Sequence, residues 1–469
     1  MERYDLVFIG AGPAGYVGAI RAAQLGARVA VIEKDEVGGA CLQRGCIPTK
    51  TLVASAAALR TCREAAAFGL ILPEPARPDL AAMLARKDKV VSILTKGILN
   101  LFKSNKIVLL RGQGKLLAPD RVEVKRADQS ELTLQAKGII LAPGSRSKTL
   151  PALPINGSNI LTSDHLLNLS EIPARVLVVG AGAIGCEWAF ILKELGSEVT
   201  VVEMLPRPVP YEDEDISELL AREMRKAKIR LSCGDRILSI GEDNLDGKLV
   251  ARMETGLEVR VDKVLVSVGR AFNTEGLGLE ELGIKLNSDG SIVVNEKMET
   301  NVPGIYAAGD ATGGILLAHK ASAEAVAAAT NALGGEARID YSVIPSATFT
   351  FPEIGSVGLR EHEVKQKGIP YRVGKFPFRG LGKAQALGEI AGEVKVIVQA
   401  ETDRLLGVHI IGPAATELIH EAALALRHGL TALDLAGLIH AHPTLSEALM
   451  EAAAATTGQA IHLPRQKSE

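Results

Sequence analysis

Leu6-Val7-Phe8-Ile9-Gly10-Ala11-Gly12-Pro13-Ala14-Gly15 returns, 170 positions on, as Val176-Leu177-Val178-Val179-Gly180-Ala181-Gly182-Ala183-Ile184-Gly185. In each copy the glycine cluster is followed by small residues (Ala19 and Gly26; Ala189 and Gly196). A second apolar run comes next (Val29 to Ile32; Val199 to Val202) and ends on a carboxylate, Glu33 or Glu203. A lone glycine cluster marks an ordinary turn more often than a nucleotide. Here each copy follows a strand-like run, opens a helix and carries its acidic residue 23 positions after the first glycine, which is the full context of a dinucleotide site. Glycines let backbone N–H groups and the positive helix end approach a pyrophosphate, and the carboxylate accepts from ribose hydroxyls. Two copies predict two dinucleotides on one chain.

The chain has 469 residues, enough for about three domains at the usual ~150 residues each. Charged residues make up 23% and the net charge is -2, so no electrostatic footprint for nucleic acid or an anionic membrane is present. The uncharged stretch from Leu6 to Ile20 is interrupted by Gly10, Gly12 and Gly15, follows Glu2 and Asp5, and is too short to span a bilayer. Five cysteines in so long a chain argue against a secreted disulfide framework. A cytoplasmic protein acting on small molecules is expected.

Beyond the repeat, Val264 to Gly269 reads as a strand closing the second nucleotide unit, and Ile305 to Asp310 as a strand ending in a turn before an Ala-rich helix. From about Ser342 the texture changes to short β-type runs (Val394 to Val398, Leu406 to Ile411) and helical stretches (Thr416 to Arg427, Leu445 to Ala455), predicting a separate α+β domain.

Gly38-Gly39-Ala40-Cys41-Leu42-Gln43-Arg44-Gly45-Cys46-Ile47-Pro48-Thr49-Lys50 follows the first nucleotide unit directly. Two cysteines five apart on an ideal helix have Cα atoms roughly 8 to 9 Å apart, beyond the ~7 Å limit for a bridge. A disulfide here needs a distorted turn. Gly39 and Gly45 supply the backbone freedom, and Pro48 suits the first turn of a following helix. Cys62, Cys186 and Cys233 are expected to be buried free thiols, the usual state of cysteine in a reducing compartment.

This segment resembles the active-site signature of the pyridine nucleotide-disulfide oxidoreductases, most closely that of their dihydrolipoamide dehydrogenase branch, and the likeness covers nearly the whole chain. The resemblance implies an α/β fold with two Rossmann-like dinucleotide-binding domains, for FAD and NAD, and a C-terminal α+β dimerisation domain. The expected boundaries are 1–146 for the FAD-binding part with the redox disulfide, 147–271 for NAD, 272–341 completing the FAD domain, and 342–469 for dimerisation. FAD would be held by Gly10, Gly12, Gly15, Glu33, Lys50, Gly144, Gly309, Asp310, Ala318 and His319. NAD would be held by Gly180, Gly182, Gly185, Glu187, Glu203 and Gly269. Asp310, in Thr300-Asn301-Val302-Pro303-Gly304-Ile305-Tyr306-Ala307-Ala308-Gly309-Asp310, would bind the ribityl chain, and Leu317-Ala318-His319-Lys320 is also familial. Cys46 would lie against the flavin while Cys41 exchanges with substrate, and Lys50 would pair with Glu187. Leu141-Ala142-Pro143-Gly144-Ser145 departs from the family's Ala-Thr-Gly linking turn, with Pro143 in place of the threonine.

A carboxylate about 4 Å from a 2′-phosphate is repelled by roughly 4 kcal/mol per unit charge at an effective dielectric near 20. Glu203 therefore predicts NAD over NADP, softened only if Arg207 swings toward the phosphate; a solvated Arg207 is the plainer alternative. His440-Ala441-His442-Pro443-Thr444-Leu445-Ser446-Glu447 admits a structural interpretation, since Thr444 to Glu447 fits a capping box. The resemblance instead makes Glu447 the residue that orients His442, a general base, with His440 a bystander, acting on the flavin site of the other subunit of a homodimer. It further implies dihydrolipoamide on a lipoyl domain as substrate, and docking to the acyltransferase core of a 2-oxo acid dehydrogenase complex or service to the glycine cleavage system. No lipoyl domain precedes the first strand, so that substrate is expected from another chain. Rival expectations are another disulfide or metal-ion reductase of the family, or a flavin-containing dimeric binding protein without turnover. Mercuric reductase is disfavoured by the cysteine-free tail Gln459 to Glu469, and glutathione reductase by Glu203.

Overall fold

A computed structural model describes residues 2–242 and 248–464. The last five residues of the tail used above, 465–469, lie outside them. The chain forms two compact units. The first comprises Met1–Lys148, Ser163–Ser170 and Gly269–Ile339, and the second Thr149–Thr162, Glu171–Val268 and Asp340–Glu469.

In the first unit, strand Glu2–Ile9 lies between Val29–Glu33 and Glu131–Leu141, parallel to both, with Leu6 opposite Val29 and Ile9 opposite Leu141. Leu6, Val7 and Phe8 are buried completely, as a strand covered on both faces requires. Strand Glu131–Leu141 serves two neighbourhoods. Its first half pairs antiparallel with Arg121–Lys125, and its last three residues pair with Ile305–Ala307. Through that pairing Ile305–Ala307 joins the first sheet. Helix Pro13–Gln24, opened by its proline, packs along Ala318–Ala332 through small residues.

The second unit repeats the arrangement in a five-stranded parallel sheet. Its order is Arg230–Cys233, Glu198–Glu203, Arg175–Val179, Lys263–Val266 and Ile160–Leu161. The same unit contains the expected α+β part. Its antiparallel sheet runs in the order Ser346–Thr348, Glu353–Gly358, Leu405–Gly412, Glu393–Gln399 and Tyr371–Pro377. Helices Ala415–Arg427 and Glu447–Ala455 pack on this sheet and share its apolar core, with Val396, Val408, Ile410, Ile419 and Leu449 at its centre.

One row across this sheet is polar throughout: Ser346, Ser356, His409, Lys395 and Lys375 stand opposite one another on five successive strands. The acidic run Glu212-Asp213-Glu214-Asp215 meets that row. Both serine hydroxyls donate to Glu212, at 2.6 Å from Ser346. The Lys395 ammonium reaches Asp213 at 2.7 Å, Asp215 at 2.5 Å and Glu361 at 2.6 Å, and Lys375 reaches Asp215 at 2.7 Å. Lys395 is 1% exposed, and a buried ammonium requires such a set of partners.

Candidate active site

The two glycine turns are built alike to the level of single hydrogen bonds. Oε2 of Glu33 accepts from Ala11 N at 2.7 Å and its Oε1 from Asp35 N at 2.8 Å. Oε2 of Glu203 accepts from Ala181 N at 2.7 Å and its Oε1 from Leu205 N at 2.8 Å. Each carboxylate thus fastens its own loop, a role the sequence pattern did not reveal, and each oxygen keeps a second lone pair for a ribose hydroxyl. Burial pushes the Glu33 carboxyl above its ordinary range, opposed by the Ala11 N–H. Helices Pro13–Gln24 and Ala183–Leu195 begin at Gly12 and Gly182 with no side-chain cap. Gly185 and Glu187 lie on the latter helix, and Glu187 is buried, with Oε1 accepting from Phe349 N at 3.0 Å. Arg207 is neither swung toward the ribose end nor solvated. Its guanidinium donates to the Pro210 and Glu212 carbonyls at 3.1 and 3.3 Å and to Glu214 at 3.2 Å.

The cysteine segment is latched onto the first glycine turn. Gly38 N donates to Ala11 O at 2.8 Å, and a Cβ on Gly39 would sit 2.6 Å from the Gly12 Cα. No side chain therefore stands between the two backbones, which leaves a cradle of bare N–H groups of the kind that fits a pyrophosphate. Cys41 lies on a short helix, Gly39–Arg44, and Cys46 opens the next, Cys46–Arg63, with Pro48 in its first turn. Gly45, at φ −132 and ψ −113, breaks the helix between them. The break brings the two thiols into hydrogen-bonding contact. That bond, together with burial, pushes the Cys41 thiol well above its ordinary value, while the charge of Lys50 acts in the opposite direction. Both cysteines are free thiols here. Of the other three, Cys186 is buried and Cys233 half-buried, but Cys62 is exposed. The expectation for Cys62 is therefore corrected: it falls near the end of its helix, on the solvent side.

A third element closes on the same end of the first sheet. Strand Ile305–Ala307 leads into the turn Gly309–Thr312, which carries Asp310. Gly309 packs on Ala14 and Ala321, in a small cluster with Ala142, Ala308 and Ala325. The turn is held from behind by a buried pair absent from the expected site, Lys320 and Glu324, 3.0 Å apart. Glu324 accepts from Gly309 N at 2.8 Å and Lys320 donates to the Gly313 carbonyl at 3.1 Å. Their spacing of four on one helix was the available signal. Ala318 and His319 open that helix. Gly144 has φ +69 in the linking turn, where Asn273 donates to the Pro143 carbonyl at 3.0 Å, and Gly269 has φ +106.

His442 and Glu447 are brought together in the second unit: Nδ1 of His442 lies 2.9 Å from Oε1 of Glu447, while Oε2 accepts from Thr444 N at 2.9 Å. One Glu447 oxygen thus meets the imidazole and the other the Thr444 N–H, but the expected capping box does not form: the helix Glu447–Ala455 has Ser446 at its N-cap with no side-chain cap bond, and the Thr444 hydroxyl donates to the Ala441 carbonyl instead. Against the burial that raises it, the Thr444 N–H and His442 hold the Glu447 carboxyl below its ordinary range. The His442 side chain is 76% exposed, whereas that of His440 is 4% exposed and bonded to Glu421 at 2.9 Å.

The chain is similar to known proteins over nearly its whole length. Residues 4–325 match the family model of pyridine nucleotide-disulphide oxidoreductases, and residues 344–453 match the dimerisation domain of the same family. The dihydrolipoyl dehydrogenase of Thermus scotoductus is 45% identical over 470 residues, covering 99% of each chain. The mitochondrial dihydrolipoyl dehydrogenase 1 of Arabidopsis thaliana is 42% identical over 466 residues, covering 98% of this chain and 92% of that one. The crystal structure of LpdA from Mycobacterium tuberculosis superposes with a TM-score of 0.90 at 30% identity, over 97% of this chain and 99% of that one. Among the described residues no helix is long and apolar enough to cross a membrane. With residues 4–325 and 344–453 so matched, the chain belongs to the pyridine nucleotide-disulphide oxidoreductase family.

Proposed function

We propose that the protein oxidises dihydrolipoamide to lipoamide with NAD as the final acceptor, working as a homodimer with FAD. The observation that carries this is the contact between the Cys41 and Cys46 thiols across the helix break, latched to the first glycine turn. With the pair oxidised, His442 takes the proton of one substrate thiol, and the thiolate attacks Cys41, releasing Cys46 as a thiolate. The second substrate thiol then displaces Cys41 from the mixed disulfide, giving lipoamide and the reduced pair. Thiolates are the reacting species throughout. FAD, when bound, takes the electron pair from the reduced cysteines and passes hydride to NAD. Gly10, Gly12, Gly15 and Glu33 would hold its adenylate part, Asp310 its ribityl chain and Lys50 its ring. Gly180, Gly182, Gly185 and Glu203 would hold NAD, with Glu187 and Gly269 beside it.

The exposure of the His442 ring supports action in the site of the partner subunit rather than within its own. The names of the relatives support a lipoyl group as the substrate; its presentation by the acyltransferase core of a 2-oxo acid dehydrogenase complex or by the glycine cleavage system is part of the proposal. Sparse cysteine use supports a cytoplasmic location. The test is to assay the purified yellow protein for NAD reduction by dihydrolipoamide, and in the reverse direction with glutathione disulfide and mercuric ion. Dihydrolipoamide turnover that is lost in Cys41→Ser is expected, with NAD preferred over NADP at least tenfold. Faster turnover of glutathione disulfide or mercuric ion, or equal efficiency with NADP, would overturn the assignment.

A further inference from the structure

We infer that Ser145 and Arg270 are positioning residues for the flavin, which aim the carboxylate of Asp310; this rests on the assignment of Asp310 to FAD made above. The Ser145 hydroxyl donates to Oδ2 of Asp310. The same hydroxyl accepts from Arg270 Nε at 2.6 Å, and Arg270 Nη2 donates to the Ser145 carbonyl at 2.8 Å. Arg270 Nε lies 3.7 Å from Oδ2 of Asp310. A guanidinium has donors only and an ionised carboxylate acceptors only, so the direction of this chain of bonds is fixed, and the serine must give its single proton to Asp310. Among the described residues Oδ1 of Asp310 has no hydrogen-bond partner. One oxygen is thus held and the other presented. The backbone of the same turn is fixed from the opposite side by Lys320 and Glu324.

The source of the grip is informative. Ser145–Ser147 and Arg270–Phe272 pair antiparallel as a two-stranded ribbon; the first lies just before the chain first leaves the first unit, after Lys148, and the second just after its return at Gly269. Pro143 in the linking turn carries no hydroxyl, and the hydroxyl that meets Asp310 is that of Ser145, two positions on. Orientation of the flavin carboxylate is therefore a property of the connector ribbon.

The test follows FAD release from the full-length holoprotein on dilution, by flavin fluorescence, in the parent, S145A, S145T, R270K and D310N, with a circular-dichroism melt of each. S145A and R270K are expected to release FAD at least tenfold faster, and S145T to come back within threefold of the parent, with melting of secondary structure little changed. Parent-like release in S145A and R270K beside fast release in D310N would overturn the inference and leave the assignment of Asp310 standing. Parent-like release in D310N would remove that assignment itself. Fast release with an equal fall in melting temperature in every variant, S145T included, would also overturn the inference, since the pair would then serve only the fold.

Discussion

Glu447 gives one oxygen to the His442 ring and the other to the Thr444 N–H, so a single side chain ties the turn before its helix to an imidazole. Its two roles are separable by substitution. His442→Ala is expected to lower dihydrolipoamide turnover by ~10²–10⁴-fold, the usual worth of a positioned base, while FAD stays bound and the cysteine pair stays reducible. Steady-state rates beside a flavin absorption spectrum decide it. Glu447→Gln, which keeps an acceptor for Thr444 N, is expected to lose turnover without losing helix, measured by rates and circular dichroism on one sample. At this scale the sequence singled out Cys41, Cys46 and the two terminal glutamates of the repeat because each stands in a short motif, but not the loop-fastening bonds of Glu33 and Glu203. It did not disclose Ser145 with Arg270, because the two are 125 positions apart. Nor did it disclose that Arg207 is tied to its own turn by backbone carbonyls, which leave no mark in the sequence.

Among the elements, the interrupted helix of the cysteine segment decides most. A Cβ added at Gly45 would lie 2.8 Å from the Ala40 carbonyl oxygen and 3.3 Å from the Cys41 Cα. Both are backbone atoms, so relief requires the two short helices to part. Gly45→Ala is expected to cost ~1–3 kcal/mol, the usual range for overpacking, and to slow closure of the Cys41–Cys46 bridge, read by urea melts and by thiol titration during reoxidation. The need for a distorted turn followed from helix geometry alone, and so did Pro48 in the first turn beyond it. The strands of both sheets were also legible, since continuous apolar runs such as Val176 to Val179 leave little choice of state. The long strand Glu131–Leu141 was not foreseen, because its two halves answer to different neighbours and its polar first half hides the pattern.

For the molecule as a whole, the stability of the second unit turns on the ammonium of Lys395 among three carboxylates. Lys395→Met leaves Asp213 buried without its counter-charge and is expected to cost ~3–5 kcal/mol, read as a lower melting temperature of that unit. The same cluster sets an acid limit. Against the burial that raises it, hydrogen bonds from Lys365, Lys395 and Tyr371 bring the Glu361 carboxyl down to about 2 from 4.5. A carboxyl depressed on folding stabilises above its unfolded value, so this contribution is intact at neutral pH and is lost as pH falls from about 4.5 toward 2. Melting temperature against pH should decline across that window, and Glu361→Gln should flatten the decline. The change of texture near Ser342 could be read in advance, but not this joint, since the acidic run Glu212 to Asp215 looks like any solvated helix start.

The polar row on the C-terminal sheet also limits how freely this protein can be recombined with its relatives. Ser346, Ser356, Lys395 and Lys375 read the carboxylates of Glu212, Asp213 and Asp215, as a key is read by the wards of a lock. A chimera that imports a foreign nucleotide module without that acidic sequence would strand an ammonium under a closed sheet, however well the two backbones superpose. The crossover points for shuffling such enzymes are therefore set by where the charges match, and residues 212–215 must travel with the sheet that recognises them.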